Sequence, residues 1–391
     1  MKAVWVTRSF LDYRIPVYKE LCSRLEGHCT LFYNADYVPQ RCSDKVQSIL
    51  GAKAKGLRGE FRIGPDHRCE GMANKVMRIP FQPGLIKAIS EEEPDVIISD
   101  GFFQWTYAAL WLRARRRIPH VMCYERTSHT ERNAQWYRKI YRKSVLRWID
   151  AICCSGKLCG EYVKSLGFSS DKVTYGHMVA DIEQLQRKSI KVSTQQVQKK
   201  RSELGLNRIV FIYVGQIIPR KGIMQLLQAW NTFSKEILQD ECSLLLVGGG
   251  IQESQCREYC EQNQLDNVCF TGVINYDQLS LYYRCADIFV IPTLEDNWSL
   301  VVPEAMACGL PIMCSRYNGC WKELVKNGNG LVFDPLNISD IVKKLHFCLK
   351  KSRNLKAMGN NSKQIVKNYT ATQAVDAIVQ ACKMAVSHSQ A

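Results

Sequence analysis

A chain of 391 residues with 46% apolar and 23% charged side chains has an ordinary globular composition and enough material for two or three domains. No apolar run reaches the roughly 18 residues needed to span a bilayer, and the longest candidate, Gly101 to Leu112, contains Gln104 and Thr106. The net charge of +16 is lopsided, with 34 Lys+Arg against 20 Asp+Glu in residues 1–200 and near balance in the remainder. The first residues, MKAVWVTRSFLDYR, lack the apolar core of a signal peptide, so a cytoplasmic location is expected. The eighteen cysteines lie singly in apolar segments or as irregular pairs without a CxxC spacing. That argues against zinc and fits small buried hydrophobes in a reducing compartment.

In chain order, Lys2–Thr7, Thr30–Tyr33, Asp95–Ser99, Pro119–Tyr124 and Ala151–Ser155 have the apolar content of strands, separated by helical patterns such as Val17–Leu25. Ser43 to Met77 has weak periodicity and many Lys, Arg and Gly, and reads as a long mobile excursion. The basic excess is densest from Arg113 to Arg147. There Trp136, Ile140, Val145 and Trp148 recur at near-helical spacing, with Arg138, Lys139, Arg142, Lys143 and Arg147 as the polar part. A basic amphipathic helix of this kind suits an anionic membrane surface, and equally a core helix with a solvated basic side. Nucleic acid is not expected as a partner, because no recognition motif accompanies the charge. Residues 186–205 are polar and read as a linker.

The second half repeats a strand–turn–helix unit. Arg208 to Gly222, RIVFIYVGQIIPRKG, is an apolar run ending in Gly215 and Gln216, with Arg220 and Lys221 just before the helical pattern MQLLQAW. LLLVGGG (Leu244 to Gly250) and VCFTGV (Val268 to Val273) follow. Then comes TLEDNWSLVVPEAMACG, Thr293 to Gly309, with Asp296 and Glu304 eight residues apart. Pro303 is tolerated only near a first turn, so a helix is expected to start close to Ser299, a good N-cap type. In open α/β sheets ligands bind at the carboxyl edge of the strands. Two carboxylates on a loop and a helix there can hold separate parts of one elongated ligand. Gly319-x3-Glu323, an NGNG turn and a closing helix over Ala371 to Val386 complete the pattern.

The ordered series Gly-Gln-x-x-Pro-Arg-Lys-Gly, VGGG, FTG, Asp-x7-Glu, Gly-x3-Glu and NGNG resembles the C-terminal half of the family-4 glycosyltransferases, from about Arg208 to Asp334. The resemblance implies a GT-B fold: α/β, two Rossmann-like domains facing across a cleft. The expected division is an acceptor-binding domain over 1–185, the linker 186–205, a donor-binding domain over 206–370, and a helix over 371–391 crossing back to the first domain. It also implies a retaining enzyme that moves a sugar from a nucleotide-diphosphate sugar, a co-substrate, to a glycan or lipid-linked acceptor in polysaccharide or glycolipid assembly. No cofactor and no metal are expected, since Lys, Arg and helix dipoles replace the cation.

By the same resemblance Lys221 binds the leaving diphosphate, Glu304 the ribose hydroxyls, and Asp296 the transferred sugar. The backbone of Asn297, Trp298, Ser299 and Leu300 supplies N–H donors. Gln216 stands where the family usually has Arg, so Arg220 is expected to take over part of the charge. Asp296 stands where the family has Glu. In the first half, Glu125 or His129 faces the sugar or acceptor, or Glu125 forms a loop salt bridge. Arg14, after the first strand, is a candidate phosphate contact. The rival readings are a nucleotide-sugar epimerase or hydrolase of the same fold and a non-catalytic binding protein.

Overall fold

The apolar runs become strands of two separate parallel sheets. In the computed structural model, which describes residues 1–63, 79–237 and 241–390, the chain divides into two units. The first unit contains β1 (Ala3–Thr7), β2 (Cys29–Asn34), β3 (Ala54–Leu57), the antiparallel ribbon of β4 (Phe61–Ile63) and β5 (Ile79–Phe81), β6 (Val96–Asp100), β7 (His120–Tyr124), β8 (Ala151–Cys154) and β9 (Val173–Tyr175). Its seven-stranded sheet has the order β3-β2-β1-β6-β7-β8-β9, with every pairing parallel. The second unit contains β10 (Ile209–Val214), β11 (Cys242–Val247), β12 (Val268–Gly272), β13 (Ile288–Ile291), β14 (Ile312–Ser315) and β15 (Gly330–Phe333), in the parallel order β12-β11-β10-β13-β14-β15. The central strands β1, β7, β10 and β11 are buried along their whole length. Parallel strands covered on both faces by helices have this unbroken apolar character, which is why they were legible as runs. Both orders reverse direction at one place, between β1 and β6 and between β10 and β13, the switch points where such sheets bind ligands.

Three expectations are corrected. The polar stretch over 186–205 is not a linker: it lies in helices Ile182–Lys191 and Thr194–Glu203 of the second unit, which begins at Asp181. Asp181 accepts from the Gln184 N–H in the first helix, which buries Ile182 and Leu185, and Ser193 and Gln196 form a reciprocal capping box that starts the second, which buries no residue. Arg201 fastens the second of them, donating to the carbonyls of Cys285 and Arg208 at 2.9 Å each. The excursion proposed over Ser43 to Met77 is instead helix Gln40–Leu50, strand β3 and β4 as far as Ile63, while residues 64–77 lie outside the described residues. Tyr33 organises that turn of chain, its hydroxyl 2.7 Å from the Ser43 hydroxyl and accepting from Gln47 at 3.0 Å.

The third correction concerns the basic helix, Trp136–Val145, whose arginines are not on a solvated face. Arg138 and Arg142 are 6% and 2% exposed, and Arg142 pairs with the buried Glu131 at 2.6 Å and donates to the Tyr162 hydroxyl at 2.8 Å. A guanidinium stacks on aromatic faces and satisfies a carboxylate at once, so this pair tolerates burial where a lysine would not. Arg142→Ala is expected to cost about 3–5 kcal/mol, because the buried Glu131 loses its 2.6 Å partner and keeps the more distant Arg126, at 3.7 Å. Urea unfolding checks this, and replacing Glu131 by Leu in the same chain with Arg142→Met should recover most of the loss.

The closing helix, Ala371–Gln390, belongs to the first unit. It packs on the Ile15–Arg24 helix and on β8, with the Thr174 hydroxyl donating to the Ala377 carbonyl at 2.9 Å. Among the described residues no helix is long and apolar enough to cross a membrane.

Candidate active site

At the switch point of the second unit the loop after β10 meets the loop after β13. Gly222 makes the contact possible: its φ is +70° and a Cβ there would lie 2.2 Å from the Pro292 carbonyl oxygen. The Leu294 N–H and the Thr293 hydroxyl both donate to the Arg220 carbonyl, at 2.8 and 3.1 Å. This stitching sets Lys221 against Asp296, Nζ on Oδ2, with the two side chains only 14% and 11% exposed. The Ser299 hydroxyl donates to the same carboxylate oxygen and in turn accepts from Asn318 Nδ2 at 2.9 Å. Gly319 N–H donates to the Asp296 carbonyl at 3.0 Å, and the approach is so close that a Cβ on Gly319 would sit 1.6 Å from the Asn297 carbonyl oxygen. Burial alone would raise the Asp296 carboxyl; the Lys221 ammonium and the Ser299 hydroxyl override it and hold the group below the ordinary aspartate value. Asp296 is therefore ionised at neutral pH.

Glu304 sits in a different environment. It lies in the first turn of helix Val301–Ala307 and is 6% exposed. The Tyr276 hydroxyl donates to Oε1 and the Tyr283 hydroxyl to Oε2, each at 3.2 Å. Burial pushes the carboxyl up to about 7, with the two tyrosine hydroxyls restraining the rise. A carboxylate that changes protonation near neutrality and already accepts from hydroxyls is suited to a ligand that presents hydroxyls.

The other expected residues are placed as follows. The helix begins at Val301 with Leu300 as N-cap, not at Ser299, because the Ser299 hydroxyl is engaged on Asp296. The Ser299 N–H faces Asn318 Oδ1 at 3.4 Å. Trp298 is buried, its ring 6.4 Å from that of Tyr369, and Asn297 is half-buried. Gly215 adopts φ +148°, Gln216 is exposed and its carbonyl accepts from the Tyr213 hydroxyl at 2.8 Å, and Arg220 Nη1 lies 3.4 Å from the Glu295 carbonyl oxygen.

In the first unit Glu125 and His129 are half-buried in the segment after β7. Arg14 does not offer itself to a phosphate. It is 5% exposed, donates to the His177 carbonyl at 2.7 Å and His177 Nδ1 at 3.2 Å, and pairs with Asp100 at 3.2 Å. His177 is neutral, its imidazole driven down to about 3 by burial and by Arg14, and its Nε2–H donates to the Tyr124 carbonyl at 2.9 Å. This assigns Arg14 to the interior of the unit.

The structure thus joins Lys221, Asp296 and Ser299 in one network and Glu304 with two tyrosines in another. Tyr276, Tyr283 and Asn318 were missed. The two tyrosines stand seven residues apart, two helical turns, and that spacing was the available signal.

Two parallel-sheet Rossmann-type units, the second carrying Lys221, Asp296 and Glu304 at its switch point, are the ingredients of the GT-B fold. The chain belongs to the glycosyl transferases group 1 family, whose profile matches residues 194–390, and a glycosyltransferase family 4 profile matches residues 45–184. An uncharacterized glycosyltransferase of Methanocaldococcus jannaschii is 23% identical over 159 residues, 41% of this chain and 43% of that protein. The sulfoquinovosyl transferase of Arabidopsis thaliana is 22% identical over 309 residues, 75% of this chain and 57% of that protein. The chain spans about half the length of these relatives. The crystal structure of HepE from Anabaena in complex with UDP has the same fold, with a TM-score of 0.73 at 15% identity over 98% of this chain and 100% of that one.

Proposed function

We propose that the protein transfers a sugar, with retention of anomeric configuration, from a nucleoside-diphosphate sugar to a hydroxyl of a glycan or lipid-linked acceptor. The observation that carries this reading is the Lys221–Asp296–Ser299 network at the switch point, with Glu304 eight residues beyond Asp296. In the proposed roles Lys221, assisted by Arg220, neutralises the diphosphate as it leaves. Asp296 accepts from hydroxyls of the transferred sugar, and Glu304, once ionised, accepts from the ribose hydroxyls. The acceptor oxygen bonds to the anomeric carbon as the bond to the phosphate oxygen breaks, both on one face of the sugar, and the acceptor proton passes to the departing phosphate oxygen. Asp296 is a poor covalent nucleophile, since its charge is committed to Lys221 and Ser299. The cation and backbone donors serve where other sugar transferases use a divalent metal, so no metal is part of this proposal. Glu125 or His129 would orient the acceptor in the first unit. The UDP bound by HepE supports a sugar-nucleotide donor, and the sulfoquinovosyl transfer named for the Arabidopsis relative supports transfer of a sugar; a role in surface-glycan or glycolipid assembly at the cytoplasmic face of a membrane is part of the proposal.

Nucleoside diphosphate release, followed with and without acceptor over a panel of sugar nucleotides, tests the reading. Release that depends on acceptor, with an axial product from an axial donor, is expected. Release without acceptor would indicate a hydrolase, sugar interconversion an epimerase, and binding without turnover a scaffold.

A further inference from the structure

The Trp136–Val145 helix carries its polarity inside out. Arg138 and Arg142 point inward, their guanidinium carbons 5.2 and 5.3 Å from the centre of the Phe103 ring. Trp136 and Ile140 point outward and are 73% and 58% exposed, with Tyr137 packed edge-on against Trp136 at 6.0 Å. At roughly 100° per residue, Trp136, Ile140 and Lys143 share one face, and Lys139 lies at its margin. Both lysines are exposed, as are Arg132 and Arg147 on either side, and no acidic residue occurs between 132 and 149. Arg147 stacks over Trp148 at 4.1 Å. The Thr106–Arg116 helix packs against the Leu146–Trp148 turn and ends in exposed Arg115 and Arg116.

An exposed indole and a branched aliphatic that share their helix face with lysine, in a stretch without acidic residues from 132 to 149, match a medium that is apolar at depth and anionic at its surface. A soluble acidic partner would use the cations and leave Trp136 and Ile140 without a role. We propose that this face of the first unit docks on an anionic bilayer, with Trp136 and Ile140 entering the boundary between headgroups and acyl chains while Lys139, Lys143 and Arg147 meet lipid phosphates. The arginines turned inward fix the pose: Arg142 ties the helix to Glu131, in the segment that also carries Glu125 and His129. Docking therefore orients that segment toward an acceptor held in the same bilayer. The docking itself is independent of the proposed sugar transfer and is measured without any sugar nucleotide.

The test is sedimentation of the full chain with phosphatidylcholine vesicles and with phosphatidylcholine–phosphatidylglycerol vesicles, from about 0.1 M to about 1 M salt, over which the Debye length falls from roughly 10 to 3 Å. Binding only to the anionic vesicles, weakening with salt, is expected. Lys139→Gln with Lys143→Gln should reduce partitioning roughly thirtyfold, at about 1 kcal/mol per charge and about 1.4 kcal/mol per tenfold. Trp136→Ser with Ile140→Ser should reduce it at least tenfold at every salt concentration. Both pairs are solvent-exposed, so unchanged thermal unfolding should accompany the loss. Equal binding to both vesicle types, undiminished binding by the Trp136→Ser, Ile140→Ser variant, or no binding to either vesicle overturns the proposal. In the last case, self-association abolished by that variant in sedimentation equilibrium would give the face to a second copy of the chain instead.

Discussion

Lys221→Ala is expected to reduce kcat by about 10²–10³-fold, the usual consequence of removing one preorganised donor from developing charge, while donor affinity falls much less. The structure adds a complication that has to be separated from catalysis. Lys221 and Asp296 form a nearly buried pair, so removing the lysine alone leaves a charged aspartate uncompensated, at a cost of about 3–5 kcal/mol in stability. Lys221→Met combined with Asp296→Asn removes both charges and should recover much of the stability without recovering turnover. Steady-state kinetics on protein checked by urea unfolding distinguishes the two effects. Turnover preserved at saturating donor in the single variant would reduce Lys221 to a ground-state binding group.

The second large effect concerns Glu304 and pH. Its carboxyl is raised from 4.5 to about 7 in the folded chain, so between those values the folded state holds a proton that the unfolded state has lost. Stability from this group is fully present below about pH 4.5, declines as pH rises to about 7, and is lower by roughly 3 kcal/mol above that. Donor binding should run the other way. In the proposed site the ribose hydroxyls would need the ionised carboxylate, so affinity is expected to fall by up to tenfold per pH unit below about pH 7. Glu304→Gln should flatten both dependences, raising thermal stability at pH 8 while weakening the nucleotide. Calorimetric titration and thermal unfolding across pH 5 to about 8.5 measure the pair of effects. A wild-type chain whose stability rises from pH 5 to about 7 through this group would refute the assignment.

What could be read from the sequence follows from which contacts are local. The strands β10 and β11 were visible as apolar runs because a two-faced parallel strand buries every side chain, and Gly222, Lys221 and Asp296 were visible because turn chemistry is local. The pairing of Lys221 with Asp296 joins positions 75 residues apart and was not read as a pair, since each was assigned to a ligand instead. The Tyr276 and Tyr283 hydroxyls on Glu304 and the inward turn of Arg14 depend on tertiary neighbours for the same reason. The basic helix shows the limit of periodicity most clearly. Its spacing correctly marked a helix with two faces, but the assumption that arginine faces water chose the wrong one, because Glu131 and Phe103 were invisible as its partners. The polar stretch before β10 was misread in a second way: low hydrophobicity alone marked it as a linker, and the Ser193-x-x-Gln196 capping box that starts its second helix was passed over.

The central claim is that the second unit holds a sugar nucleotide with its ribose on Glu304. The most direct measurement is a calorimetric cycle in which the wild type and Glu304→Gln are each titrated with a ribonucleoside diphosphate and with its 2′,3′-dideoxy counterpart. The account predicts that the variant weakens the ribonucleotide by about 1.5–3 kcal/mol, the value of hydrogen bonds to a charged group, and leaves the dideoxynucleotide nearly unchanged. An equal loss for both nucleotides, or none for either in a folded variant, would contradict it.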